Sequence, residues 1–143
     1  MNGYTPLSDN LTVTMIEKRQ IKFESAITNA RKSLSVILDK LENGENIHLQ
    51  RGIIWNAYSE VEYATLLIRH HLNVEDPGRL FPRKRRLDKP SSSLTTALDD
   101  LTEADEHIKS QEYLDMLMSV RRAGHALREA LAFLRRNQFK KTT

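Results

Sequence analysis

Apolar residues recur in steps of three and four along four stretches of this chain, the spacing that keeps one face of a helix. Between Thr14 and Glu42 they fall at Ile16, Phe23, Ile27, Ala30, Leu34, Ile37 and Leu41, with Gln20 in the one polar slot. This is a heptad-like seam. From Asn46 to Leu72 the set is Ile47, Ile54, Ala57, Val61, Ala64 and Ile68. Ile53, Trp55, Tyr58, Leu66 and Leu67 broaden it, which predicts a central helix covered on more than one side, with Trp55 buried. A third stretch runs from Ser93 to Lys109 on Leu94, Ala97, Leu98, Leu101, Ala104 and Ile108. The fourth ends near Asn137, on Leu117, Val120, Gly124, Leu127, Leu131 and Leu134. Gly124 on that seam predicts close approach of a neighbouring helix.

Punctuation between the stretches sets the topology. Thr14 and Glu17 have capping-box spacing, and Gly3 and Pro6 precede them, so residues 1–13 are expected to form a loose arm. Asn43-Gly44 supplies a helix stop, and Asn73 with Asp76-Pro77-Gly78 supplies another. The short first connection predicts an antiparallel helix pair. Pro77, Pro82 and Pro90 exclude a continuous helix through residues 73–92, where Leu80 and Phe81 are expected to dock on the bundle. Ser93 is the expected cap of the third helix, Ser110-Gln111 a break, and residues 138–143 a frayed tail. The fold class is all-α: one domain over residues 1–143, a four-helix bundle of two αα-hairpins joined by a long basic crossover loop.

With 143 residues the chain is long enough for one domain with a real core. It has no cysteine, which excludes disulfides and thiolate metal sites and fits a reducing compartment. No run is apolar enough to span a membrane, and the N-terminus lacks the regions of a signal peptide, so a cytoplasmic protein is expected. A net charge of +3 is too mild to establish nucleic-acid binding, so the distribution of charge decides.

That distribution is uneven. Arg79, Arg83, Lys84, Arg85, Arg86 and Lys89 crowd the crossover around Phe81, opposed by Asp88. Clustered guanidinium groups attract phosphate, and Phe81 offers a ring on which a base can stack. The bland alternative is a solvated loop paired with the acidic outer face of the third helix, at Asp99, Asp100, Glu103, Asp105 and Glu106. On the last helix Arg121, Arg128 and Arg135 recur every seven residues beside the apolar seam. Arg122, Arg136, Lys140 and Lys141 add to that charge, and the helix macrodipole accounts for the cations nearest its end. Arg121 and Arg128 are placed to pair with Asp99 or Glu103, or to meet nucleic acid. His125 shares their flank, where an Arg beside a His can hold a phosphodiester and move a proton. Carboxylate-bridged metal bundles need Glu-x-x-His on two inward faces, which Glu60, Glu62, His70 and His71 do not supply; Glu103 and His107 make at most a weak surface pair. Neither a nucleophilic triad nor a glycine-rich phosphate loop is present. No cofactor or metal is expected. The expected partners are a second copy, from the seam of the first helix, and RNA, DNA or an acidic protein surface.

The helix pair with its NGEN turn, AYSEVEYATLL, SSLTTALDDL and SVRRAGHALREA together resemble HEPN domains over roughly residues 23–137. The resemblance implies a helical bundle. In HEPN nucleases an Arg and a more distant His on the last helix cleave RNA at a dimer interface. Here the matching positions are Arg121 and His125, more closely spaced and with Arg122 following the first. The resemblance therefore implies a non-catalytic binding or dimerisation module, with a ribonuclease using Arg121 and His125 as the alternative.

Overall fold

The computed structural model describes the backbone of residues 4–74 and 89–142 and the side chains of 18–74 and 89–137. The described residues form four α-helices: α1 (Tyr4–Glu42), α2 (Arg51–Leu72), α3 (Pro90–Lys109) and α4 (Tyr113–Thr142). A 3-10 turn at Ile47–Gln50 precedes α2, and no strand occurs among the described residues. No described helix is long and apolar enough to cross a membrane.

α1 packs on α2 and α3 on α4, as the two predicted hairpins require, and α2 then meets α4 while α1 meets α3. Side-chain contacts give the directions. Arg31 pairs with Asp105 at 3.4 Å, and the Tyr113 hydroxyl donates to Gln20 Oε1 at 3.1 Å, so α3 descends where α1 ascends. Arg121 approaches Glu62 at 3.8 Å and Arg128 donates to the Tyr58 hydroxyl at 3.1 Å, so α2 and α4 are also antiparallel. Each helix therefore runs against both of its neighbours. Leu72 and Pro90 lie at opposite ends of the bundle, and that separation is why the hairpins need a long link. Residues 75–88 lie outside the described residues, and with them the expected docking of Leu80 and Phe81.

Three helices end in the same way. Gly44 (φ 88°), Asn73 (φ 54°) and Gln111 (φ 58°) take left-handed backbone. The following amides of Glu45, Val74 and Glu112 reach back to the carbonyls of Lys40, Arg69 and His107. These are Schellman caps, satisfying carbonyls that the helix leaves over. The breaks expected at Asn43-Gly44, Asn73 and Ser110-Gln111 are all present.

The helix starts differ from the expectation. Residues 4–13 are helical and not a loose arm, so Thr14 lies inside α1 and not at its start. α3 begins at Pro90 behind Lys89, and Ser93 is a buried residue of its first turn. Pro6 and Pro90 share one explanation: in a first turn the missing N–H has no intrahelical partner to lose, so Pro90 starts α3 and Pro6 is tolerated two residues into α1. At the other end α4 continues to Thr142, where a frayed tail was expected; no Gly or Pro follows Asn137 to stop it.

The core is the set of seams. Phe23, Ile27, Leu34 and Ile37 of α1, Ile54, Val61 and Ile68 of α2, Leu94 and Leu101 of α3, and Leu117, Leu127 and Leu134 of α4 are all fully buried. From Phe23 to Ile37 the seam of α1 is thus covered by its own chain, while Ile21 and Val36 stay exposed on the same helix. Trp55 and Leu66 are corrections. They are 55% and 59% exposed, so α2 is covered on one side and open on the other.

The predicted polar slot at Gln20 is filled by Tyr113, whose ring stacks edge-on against Phe23 and His71. Burial and the Arg19 charge hold the His71 pKa below its ordinary value. The unfolded chain takes up this proton near pH 6.5 and the folded chain only at lower pH. Over that interval the unfolded state binds more protons, so stability must fall as pH drops below the unfolded pKa. Urea unfolding at pH 7.5 and at about pH 5.5 should show this loss, and His71→Gln should flatten it. An unchanged pH profile in the variant would assign the loss to other groups.

Candidate functional site

The exposed stripe of α2 and the basic flank of α4 lie side by side. Trp55 and Leu66 are three turns apart on α2, about 140° from the middle of the buried face. α4 meets α2 at Gly124, where a Cβ would stand 3.2 Å from Glu62 Oε1 and 3.4 Å from Val61 Cγ1. The side chains of Val61 and Glu62 fill the space beside Gly124, and this contact brings the outer edges of both helices together.

Towards the start of α2 the two edges enclose an open groove of roughly 730 Å³. Its apolar surface comes from Trp55, Tyr58, Leu131 and Ala132, and Gly52 leaves one side without a side chain. Its charge comes from Arg51 on α2 and Arg128, Arg135 and Arg136 on α4. No carboxylate lines it. Trp55 and Tyr58 stack at 5.6 Å between centroids with their planes 42° apart. Arg128 holds Tyr58 twice, donating to its hydroxyl at 3.1 Å and lying 5.9 Å from its ring centroid. The aromatic pair is thus braced on one side, while the indole keeps more than half of its surface in solvent. A Cβ at Gly52 would meet nothing within 4 Å, so packing within the chain gives no reason for glycine there.

A smaller groove of roughly 470 Å³ lies between Tyr63, Leu66 and Arg69 of α2 and Arg121 and Arg128 of α4. Here the Arg121 side chain is mostly buried and faces the Glu62 carboxylate. His125 is half-buried one turn beyond it.

Arg128 lines both grooves: it meets Arg135 in the larger one and Arg121 in the smaller one. In the larger groove Arg51, Trp55 and Tyr58 join them, residues whose place in a site the pattern of apolar positions does not indicate. Neither Arg121 nor Arg128 has the expected pairing with Asp99 or Glu103. It is Arg122 that reaches α3, meeting Asp100 at 3.5 Å and Glu103 at 3.2 Å. Lys89 is exposed just ahead of α3. Arg79, Phe81, Arg83, Lys84, Arg85 and Arg86 lie outside the described residues, as do the side chains of Lys140 and Lys141. His107 sits between Glu103 at 3.6 Å and Glu112 at 3.3 Å, where it ties down the α3–α4 turn; Asp115 is close by, and these carboxylates are exposed.

No family model, no curated protein and no solved structure matches this chain. The reading of its site therefore stands on residues and geometry.

Proposed function

We propose that this protein is a non-enzymatic binding module that holds nucleic acid on the α2–α4 face. What supports this reading most is the larger groove, where four arginines from two helices surround exposed aromatic surface with no carboxylate among them. Guanidinium groups grip phosphate bidentately, and aromatic rings accept bases. The basic segment Arg79–Lys89 belongs to the same reading as a second phosphate contact. A cytoplasmic location suits a chain without cysteine. A homodimer stays compatible with it, with the exposed Tyr63 and Leu66 as the surface a second copy would cover.

The test is a titration with RNA and DNA at several salt concentrations. Four phosphate contacts to a single strand give a slope of about −3 in log K against log salt. Changing Arg135 and Arg136 to Gln should flatten that slope by about 1.4. Both residues are exposed, so the melting temperature should hardly move. The change of Arg83, Lys84, Arg85 and Arg86 to Gln reports separately on the basic segment. Wild-type protein that ignores both nucleic acids at low salt would overturn the proposal. RNA cleavage that disappears in His125→Ala would replace it with the HEPN-like ribonuclease reading.

A further inference from the structure

The geometry points to a more specific ligand: we infer that the larger groove takes single-stranded nucleic acid, with one unpaired base stacked on the Trp55 indole. This rests on the nucleic-acid reading above and narrows it.

Four observations carry the inference. The indole is 55% exposed on a helix whose other large apolar residues mostly face the core. It is not a loose side chain, because Tyr58 lies 5.6 Å away and is itself held by Arg128. A ring braced in this way accepts a second ring without first being ordered, which lowers the entropic cost of binding. The arginines stand to either side, Arg51 on α2 and Arg135 and Arg136 on α4, so a backbone crossing the groove meets cations before and after the stacked base. Finally, Gly52 leaves open space where any side chain would narrow the approach to the ring.

Duplex fits these features poorly. Its bases are stacked on one another and present only their edges, and the indole sits in a groove and not on a protruding wedge. A strand with unstacked bases offers a ring face, and stacking of this kind tolerates any base because each has a π-face. The groove's roughly 730 Å³ falls within the range that accommodates a ligand of nucleotide size.

The chain has one tryptophan, so its fluorescence reports on this site alone. The full chain is titrated at low salt with four probes: an oligothymidylate, a chain of equal length made of abasic sugar-phosphates, a duplex, and polyglutamate. The oligothymidylate is expected to quench the fluorescence and to bind more tightly than the abasic chain or the duplex. A labelled oligothymidylate followed by anisotropy should lose about 10- to 100-fold in affinity on Trp55→Ala and retain most of it on Trp55→Phe. Affinity for the abasic chain should be the same in wild type and Trp55→Ala. Equal binding of oligothymidylate and abasic chain without quenching would overturn the stacking inference while leaving the nucleic-acid reading in place. Tighter binding of duplex, unaffected by Trp55→Ala, would do the same. Polyglutamate bound as tightly as the oligonucleotide, or no binding of any nucleic acid, would overturn both.

Discussion

Replacing Phe23 with alanine is expected to cost about 3–5 kcal/mol of folding stability. Phe23 is fully buried on α1, and its ring meets the edges of His71 at 6.1 Å and Tyr113 at 6.2 Å. Truncation loses the transfer energy of the ring and leaves a cavity between three helices. It also loses two edge-to-face contacts, each contributing up to about 1 kcal/mol beyond area burial. His71 and Tyr113 cannot both collapse into the gap, because Tyr113 is tied to Gln20. Domains are stable by only about 5–15 kcal/mol, so this single change removes a large share. Urea denaturation is the measurement, and a loss below about 1 kcal/mol would mean that this end of the bundle is not packed as described. Trp55→Ala is the useful contrast. It removes a larger side chain but an exposed one, and it should cost far less than the same truncation of a buried tryptophan.

The second large effect is expected at Gly124. A methyl group there is accommodated with small adjustment, because the nearest atom is the mobile end of Glu62 and Val61 Cγ1 is at ordinary contact. Gly124→Ala should therefore be close to neutral, with improved helix propensity offsetting the crowding. Gly124→Leu is different. Its branched carbons must enter space held by the Val61 and Glu62 side chains, and forced overpacking of this kind costs about 1–3 kcal/mol. It should also displace Glu62 from Arg121 and widen both grooves, so that any ligand of the α2–α4 face binds less tightly. Thermal melts of the Ala and Leu variants side by side make the check. A Leu variant as stable as wild type would show that the helices are farther apart at Gly124 than described.

The bundle itself was legible because its signal is redundant. Each helix carries five or more apolar residues at helical spacing, and left-handed residues stand where three of the helices stop. The starts were misread because Pro6 and Pro90 act as breakers anywhere except in a first turn, and sequence does not say which turn they occupy. Trp55 was misplaced for another reason. Hydrophobicity alone puts it with the core, whereas its position puts it about 120° from the shared direction of Ile54, Val61 and Ile68. The usable signal was Arg51, Trp55, Glu62, Leu66 and Arg69 sharing one stripe, a mixture of aromatic, aliphatic and charged residues that a core face does not carry. On α4 the arginine repeat did reveal the basic flank. What it cannot reveal is which helix lies beside it, and so the expected pairing with Glu103 falls on Arg121 or Arg128 where the structure has Arg122. That choice depends on the direction in which α2 and α4 cross, which is a property of tertiary packing.

Because each helix runs against both neighbours, two N-termini and two C-termini meet at either end of the bundle, like ends facing across the diagonals. The partial charges of the helix ends then largely cancel, and a polyanion approaching along the axis finds little net field from the backbone. Whatever attraction this protein exerts on phosphate has to come from side chains on its flanks. Its electrostatics are therefore separable from its architecture: exposed arginines can be exchanged one at a time, and the frame that displays them has no axial polarity to rebalance.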